Sequence, residues 1–267
     1  MKLKLSILLT LIFSISATAF GQKEVVKPTT QTKPTADAKP ADAKAIVAKM
    51  PTAQEILTKY AQALGGKTAH EKIKSRTMKG TMEIVPMGIK GSFESYAVAP
   101  NKSLTKSTLA GIGELVEGFD GQTAWTVNPL QGNRDKQGEE LAQTKLINNF
   151  YREVNLAQLY PKMEQKGTEK VGEANAYVLV GTPESLTPET FYFDTKSGLL
   201  VRQDATFISP EGKTPTKTFF EDFREVDGVK LPFKMRTVMP QFEIVVTITE
   251  IKNNVAIEDS KFTKPKI

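Results

Sequence analysis

The sequence predicts a β-rich α+β fold: an open, unclosed antiparallel β-barrel of about eleven strands, with N-terminal and mid-chain helices as its lid or plug. Three observations predict it. From Arg76 onward the hydrophobic period is two rather than 3.6. The apolar alternation is punctuated by Asp120-Gly121, Lys196-Ser197-Gly198, Pro210-Glu211-Gly212 and Asp227-Gly228, which is hairpin chemistry. Helical patterns stand only at the start and the middle, too few for the crossovers of a parallel sheet, and an antiparallel sheet this long must curl.

The domain opens with a helix. Thr52 and Glu55 form a capping box, Ile56, Leu57, Tyr60 and Leu64 share one face, and Gly65-Gly66 ends it. Thr68 and Glu71 repeat the capping pattern and predict a short second helix through about Lys74. In the first strand Met78, Gly80, Met82 and Ile84 occupy one face while Thr77, Lys79, Thr81 and Glu83 occupy the other. The same alternation predicts strands at 90–99, 102–109, 113–119, 122–128, 174–182, 189–194, 199–208, 216–225, 231–239 and 242–251, paired in chain order as a meander. A helix-like stretch at about 139–153 interrupts them, with Ile147, Phe150, Tyr151 and Val154 on one face.

Ahead of this domain lie two segments of other character. Residues 1–21 have the layout of a cleaved secretory signal: Lys2 and Lys4, an apolar run from Leu5 to Ile15 too short to span a membrane, then small residues with cleavage expected after Ala19 or Gly21. Residues 22–50, rich in Pro, Lys, Thr, Ala and Asp, hold too little apolar surface to fold and read as a disordered linker. A single domain is expected over 51–267, exported across the inner membrane of a bacterium. With no cysteine, the chain offers no disulfide, no thiolate metal ligand and no acylated cysteine anchor.

The charge excludes a nucleic-acid partner. Of 36 Lys and Arg and 30 Asp and Glu, two lysines sit in the leader, and six lysines against three acids sit in 22–50. The domain is therefore almost neutral despite a sequence pI of about 9.2, and it lacks the basic footprint that binding a phosphate backbone needs.

Catalytic patterns fail one by one. His70 is the sole histidine and reads as an exposed helix residue, unable by itself to build a zinc site. Ala61 to Thr68 approaches a phosphate-binding loop, but alanine stands in place of the first glycine and a helix precedes it. Ser103 to Lys106 matches S-x-x-K without the companion motifs of penicillin-binding enzymes. Glu139-Glu140 and Glu221-Asp222 are sequence neighbours whose side chains diverge, so they read as solvated charges. No enzyme activity, metal or cofactor is expected.

What remains is an apolar inventory of eight Met, fourteen Phe, six Tyr and one Trp. Phe191 and Phe193 share a strand face, as do Phe219 and Phe223, Phe233, Met235 and Met239, and Met78 and Met82. Flexible Met and Phe side chains on a concave surface suit acyl chains of variable shape. The candidate cavity residues are Met82, Phe93, Trp125, Phe193, Phe207, Phe219, Phe223, Phe233 and Met235. The same residues could instead fill a solid core.

The segments P-T-A-Q-E-I-L-T-K-Y-A-Q-A-L-G-G-K at 51–67, E-G-F-D-G-Q-T-A-W at 117–125, F-Y-F-D-T-K-S-G-L-L-V-R at 191–202 and E-D-F-R-E-V-D-G-V-K-L-P-F-K-M at 221–235 resemble the outer-membrane lipoprotein-sorting protein (LolA-like) family, and within it a divergent, uncharacterised periplasmic branch. Gly118, Phe119, Asp120, Gly121, Trp125, Asp194 and Gly198 match the pattern as fold-defining residues. The linker at 22–50 departs from it. The resemblance implies an unclosed barrel whose lidded concave side shelters lipid, or the acyl chains of lipoproteins, in transit through the periplasm. The partners expected are lipid or lipidated protein and envelope membrane proteins, with the chain a monomer. The alternative is a docking module of the envelope with a collapsed core and no ligand.

Overall fold

The computed structural model describes residues 50–265; the predicted leader and nearly all of the predicted linker lie outside them. Helix α1 (Ala53–Ala63) and a short α2 (Lys67–Lys72) precede six strands: β1 (Ser75–Val85), β2 (Ile89–Val98), β3 (Lys102–Leu109), β4 (Gly113–Phe119), β5 (Ala124–Asn128) and β6 (Gly132–Asp135). Next comes a helical insertion of α3 (Gly138–Ile147), a 3₁₀ turn (Arg152–Val154) and α4 (Leu156–Leu159). Seven strands complete the sheet: β7 (Lys162–Val171), β8 (Ala174–Thr182), β9 (Glu189–Asp194), β10 (Leu200–Ser209), β11 (Gly212–Val226), β12 (Val229–Val238) and β13 (Glu243–Asn253). A last 3₁₀ turn follows at Asp259–Phe262.

All thirteen strands form one antiparallel sheet in the order β6-β5-β4-β3-β2-β1-β13-β12-β11-β10-β9-β8-β7. The eleven strands read from sequence are present. The two further ones, β6 and β7, are the sheet's edges, and β7 (K-M-E-Q-K-G-T-E-K-V) is charged and bulged between Gln165 and Thr168. An edge strand pairs on one side only and is protected by charge, so it shows no apolar alternation to detect. The connectivity is two meanders rather than one. Every chain neighbour pairs except β6 and β7, which the helical insertion separates, and β1 pairs with β13 from Arg76↔Asn253 to Val85↔Glu243 with a bulge at Lys79/Gly80.

The sheet curls without closing. Gln131, in the β5–β6 turn, donates from Nε2 to Glu211 Oε1 in the β10–β11 turn at 3.0 Å. Those turns are at least seven strand spacings apart along the sheet, roughly 34 Å if it were flat. Helix α3 ties the same two halves together: Glu140 takes a bidentate pair from Arg134 of β6 at 2.7 and 2.8 Å, and Glu139 meets Lys213 of β11 at 2.8 Å. Thus Glu139 and Glu140 diverge as expected, but only Glu139 is solvated; Glu140, 12% exposed, is drawn inward by its pairing with Arg134.

The first helix has the predicted capping box, with Thr52 N–H on Glu55 Oε2 at 2.7 Å and Glu55 N–H on Thr52 Oγ1 at 3.2 Å. The second capping box does not form. Helix α2 begins directly after Gly66, its N-cap without a side-chain bond, which places Thr68 inside the first turn rather than ahead of it. The Asp194–Gly198 turn is built by its carboxylate, which accepts from Ser197 N–H at 2.8 Å and Ser197 Oγ at 2.6 Å. Gly198 takes a φ of 76° there, a conformation that costs glycine nothing.

Gly118 explains the E-G-F-D-G-Q-T-A-W segment. It pairs directly with Trp125 across β4–β5, and the indole lies over it so closely that a Cβ at Gly118 would stand 2.2 Å from Cε2 and Cζ2. Gly118→Ala should therefore cost about 1–3 kcal/mol in urea unfolding, as overpacking does. In a Trp125→Leu background most of that cost should vanish, and equal costs in both backgrounds would show that the indole is not what the methyl meets.

Candidate functional site

Helix α1 packs its apolar face on β8–β10. Tyr60 lies 5.0 Å from Phe193, centroid to centroid, and Ile56, Leu57, Leu64, Leu179, Phe191, Phe193 and Leu200 are buried together. At the helix end, Leu64 carbonyl oxygen accepts from Lys230 N–H at 2.9 Å and from His70 Nε2 at 3.2 Å. His70 is thus 3% exposed, not a surface residue, because its ring turns back to satisfy a helix-terminal carbonyl. A carbonyl can only accept, so Nε2 carries the proton. Burial holds the His70 pKa below the ordinary value, against the upward pull of Glu153 and the Leu64 carbonyl.

Between α1, the 3₁₀ turn and strands β1 and β10–β12 lies a cavity of about 140 Å³. Tyr60, Leu64, Met78, Leu200, Phe220, Phe223, Leu231 and Met235 supply its apolar wall, and Arg76, Arg152, Glu153 and Lys230 its charged part. A larger hollow of about 420 Å³ elsewhere, bordered by Pro188, Thr190, Asp204, Pro215, Lys217 and Met239, is wide open to solvent and lies under no helix.

The insertion is held over the cavity by a buried polar latch. Arg152 Nη2 donates to Tyr160 Oη at 2.9 Å and lies 3.5 Å from Glu189 Oε2, while Tyr160 Oη donates to the same oxygen at 2.7 Å and Gln203 Nε2 donates to it at 2.5 Å. Burial raises the Tyr160 pKa, so its hydroxyl remains a donor. Arg152 Nε is buried without a partner.

The nine sequence-predicted cavity residues do not meet in one place. Phe223 and Met235 line the cavity. Met82, Phe93 and Phe233 cluster with Val246 and Ile248, a group that Met78 and Met235 join to the cavity wall. Phe193 lies under α1 in the larger core cluster. Trp125, 2% exposed, belongs to a separate cluster with Leu104, Val116 and Phe262. Register puts that cluster on the face away from α3: Thr126 pairs with Arg134, whose side chain reaches Glu140, so Trp125 points the other way. Phe219 lies beneath Arg236, 4.1 Å from its ring centroid, and Phe207 is 37% exposed at the far end of β10. Phe219 and Phe223 do not share a face as the alternation predicted. Asp222 takes a left-handed backbone (φ 53°), which interrupts the alternation and brings Phe220 instead to the cavity beside Phe223.

Sequence reasoning missed Arg76, Arg152 and Lys230. Arg76 carried a usable signal, because it stands in phase with Met78 and Met82, a cation in line with an apolar strand face. Arg152 and Lys230 had none, since only folding brings the insertion and the β11–β12 turn to β1. Among the described residues no three His, Asp or Glu side chains converge as a metal site would. The S-x-x-K serine, Ser103, lies on strand β3 rather than at a helix start.

No protein-family model matches the sequence, and neither does any curated protein. Solved structures do. A DUF1329 family protein from Desulfovibrio piger superposes with a TM-score of 0.55 at 14% identity, over 80% of this chain and 98% of that one. A LolA superfamily protein from Nitrosomonas europaea does so with a TM-score of 0.52 at 15% identity, over 80% of this chain and 99% of that one. The fold is LolA-like. At these identities the likeness extends to the fold: the LolA-like half-barrel expected from the four sequence segments is the architecture found.

Two variants test the anchoring of these helices. Glu189→Gln leaves Arg152 buried without its counter-charge and should cost about 3–5 kcal/mol in urea unfolding; a loss below 1 kcal/mol would mean that the latch is solvated. His70 has a folded pKa below its unfolded value of about 6.5, so its contribution is full above pH 6.5 and is lost as the pH falls through the folded value. As the sole histidine it should produce a decline in stability as the pH falls below about 6.5 that His70→Gln removes, and a variant with an unchanged slope would assign the decline elsewhere.

Proposed function

We propose that this protein is a non-catalytic carrier that shelters the acyl chain of a lipid, or of a lipidated protein, in the cavity beneath α1. The observation that carries this reading is the apolar wall of Met78, Leu200, Phe220, Phe223, Leu231 and Met235, gathered from one helix-covered face of a half-barrel. The LolA-like fold supports it. Export to the periplasm through residues 1–21, and a spacer at 22–50 that lets the domain reach a membrane surface, belong to the same proposal.

The volume sets a condition on loading. About 140 Å³ is close to the engineered apolar cavities of roughly 150 Å³ that take one benzene, and below the roughly 300–1,000 Å³ of drug-sized sites. It therefore holds some six carbons, worth roughly 5 kcal/mol at about 0.8 kcal/mol per methylene. A longer chain requires Met78, Met235 and the neighbouring Phe side chains to turn, or α1 to lift. Methionine's three rotatable bonds make the first route the less costly. The Met82, Phe93, Phe233 and Val246 cluster is next in line to open.

Native mass spectrometry of the mature protein, purified without detergent, should show an added mass that extracts as lipid, or uptake of added phospholipid or lipopeptide. Phe223→Asp and Met235→Asp should abolish retention while the folded fraction stays measurable by circular dichroism, and Phe207→Asp should leave retention unchanged. A bare protein mass with no uptake of any amphiphile would overturn the carrier reading in favour of an envelope docking module.

A further inference from the structure

The charged part of the cavity wall does not suit a neutral ligand. Three cations, Arg76, Arg152 and Lys230, border it against the single carboxylate Glu153. Arg152 is compensated by Glu189 through the latch, though its Nε has no partner. Arg76 has no ion-pair partner: its Nε donates to the neutral Asn253 Oδ1 at 3.0 Å, its guanidinium lies over the Phe150 ring at 5.6 Å, and among the described residues it makes no salt bridge, Glu153 acting on it only at longer range. Lys230 likewise makes no salt bridge there; its backbone N–H holds the end of α1 instead.

Withdrawing a guanidinium from water without a counter-charge is unfavourable, and arginine cannot escape by losing its proton. Burial lowers the Arg76 pKa and Glu153 only partly offsets this, so the group stays charged and under-compensated. An apolar wall joined to two unpaired cations is complementary to one kind of molecule, an amphiphile whose chain ends in an anion.

Building on the carrier reading, we infer that Arg76, with Lys230, is the head-group subsite of the cavity and that the ligand is an acyl chain bearing a carboxylate or phosphate. The guanidinium presents its Nη atoms to the anion while Nε stays on Asn253 and the Phe150 ring fixes its plane. Arg152 Nε can donate a further hydrogen bond once the chain displaces the side chains around it.

Isothermal titration of the full mature chain with dodecanoate, dodecyl phosphate and 1-dodecanol tests this directly. The wild-type protein should bind both anions about ten- to a hundredfold more tightly than the alcohol, the worth of one charge-assisted hydrogen bond. Arg76→Gln should remove that preference while leaving the alcohol's affinity within about twofold, Arg76→Lys should restore part of it, and Lys230→Gln should reduce it. A phosphate preference over carboxylate would point to a phospholipid head group as the source, and equal affinity to the free acid. Equal binding of anion and alcohol by the wild type, or an Arg76→Gln effect shared by all three ligands, would overturn this inference alone. Failure of all three to bind the wild type would overturn the carrier reading and this inference with it.

Discussion

The pairing of β1 with β13 is the constraint on which the rest of the molecule depends. It joins two meanders that would otherwise be separate sheets, β1–β6 and β7–β13, and its register runs from Arg76↔Asn253 to Val85↔Glu243. Because the first strand meets the last, the sheet's two free edges fall in mid-chain, at β6 and β7. The barrel is open there, and that is where the chain inserts its helices. The same pairing sets Met78 and Met82 beside Ile251 and Val246, and through β12 beside Met235 and Phe220, so the cavity wall extends from it.

The insertion across the opening is anchored by polar bonds rather than by packing alone. Arg134–Glu140 and Lys213–Glu139 hold α3 to both halves of the sheet, and the Arg152–Tyr160–Glu189 latch holds the following turn. Buried polar networks specify one geometry, since each misplacement strands a desolvated group. An apolar lid could slide over Phe191 and Phe193 at little cost, whereas this one is registered on Glu189. The lid is also where the cavity acquires charge, because Arg152 and Glu153 arrive on the insertion and Arg76 on the strand beneath it.

Opposite faces of the sheet carry different work. On the helix-covered face Met78, Phe220 and Met235 leave a small void. On the other face Leu104, Val116 and Trp125 pack on Phe262 from the C-terminal 3₁₀ turn, which Lys102 and Asp259 fasten at 2.9 Å and Lys264 and Asp135 at 2.8 Å, and they border an open hollow of about 250 Å³. Both faces are apolar in this region, so alternation alone cannot say which residue faces the lid.

The sequence by itself determined eleven of the thirteen strands, the first helix, the Asp194–Gly198 and Asp120–Gly121 turns and the open-barrel class, since each rests on local propensity or on a period of two. It also carried the LolA-like resemblance in four segments that prove to be a cap, a close Gly118–Trp125 approach and turns. Only the tertiary structure decided the β1–β13 closure, the burial of His70 against Leu64, and the face on which each aromatic lies. It also brought together Arg76, Arg152 and Lys230, which stand far apart in the chain. The physical reason is range: propensity and capping act over a few residues, whereas a cavity is defined by side chains that become neighbours only after long-range strand pairing has fixed the register.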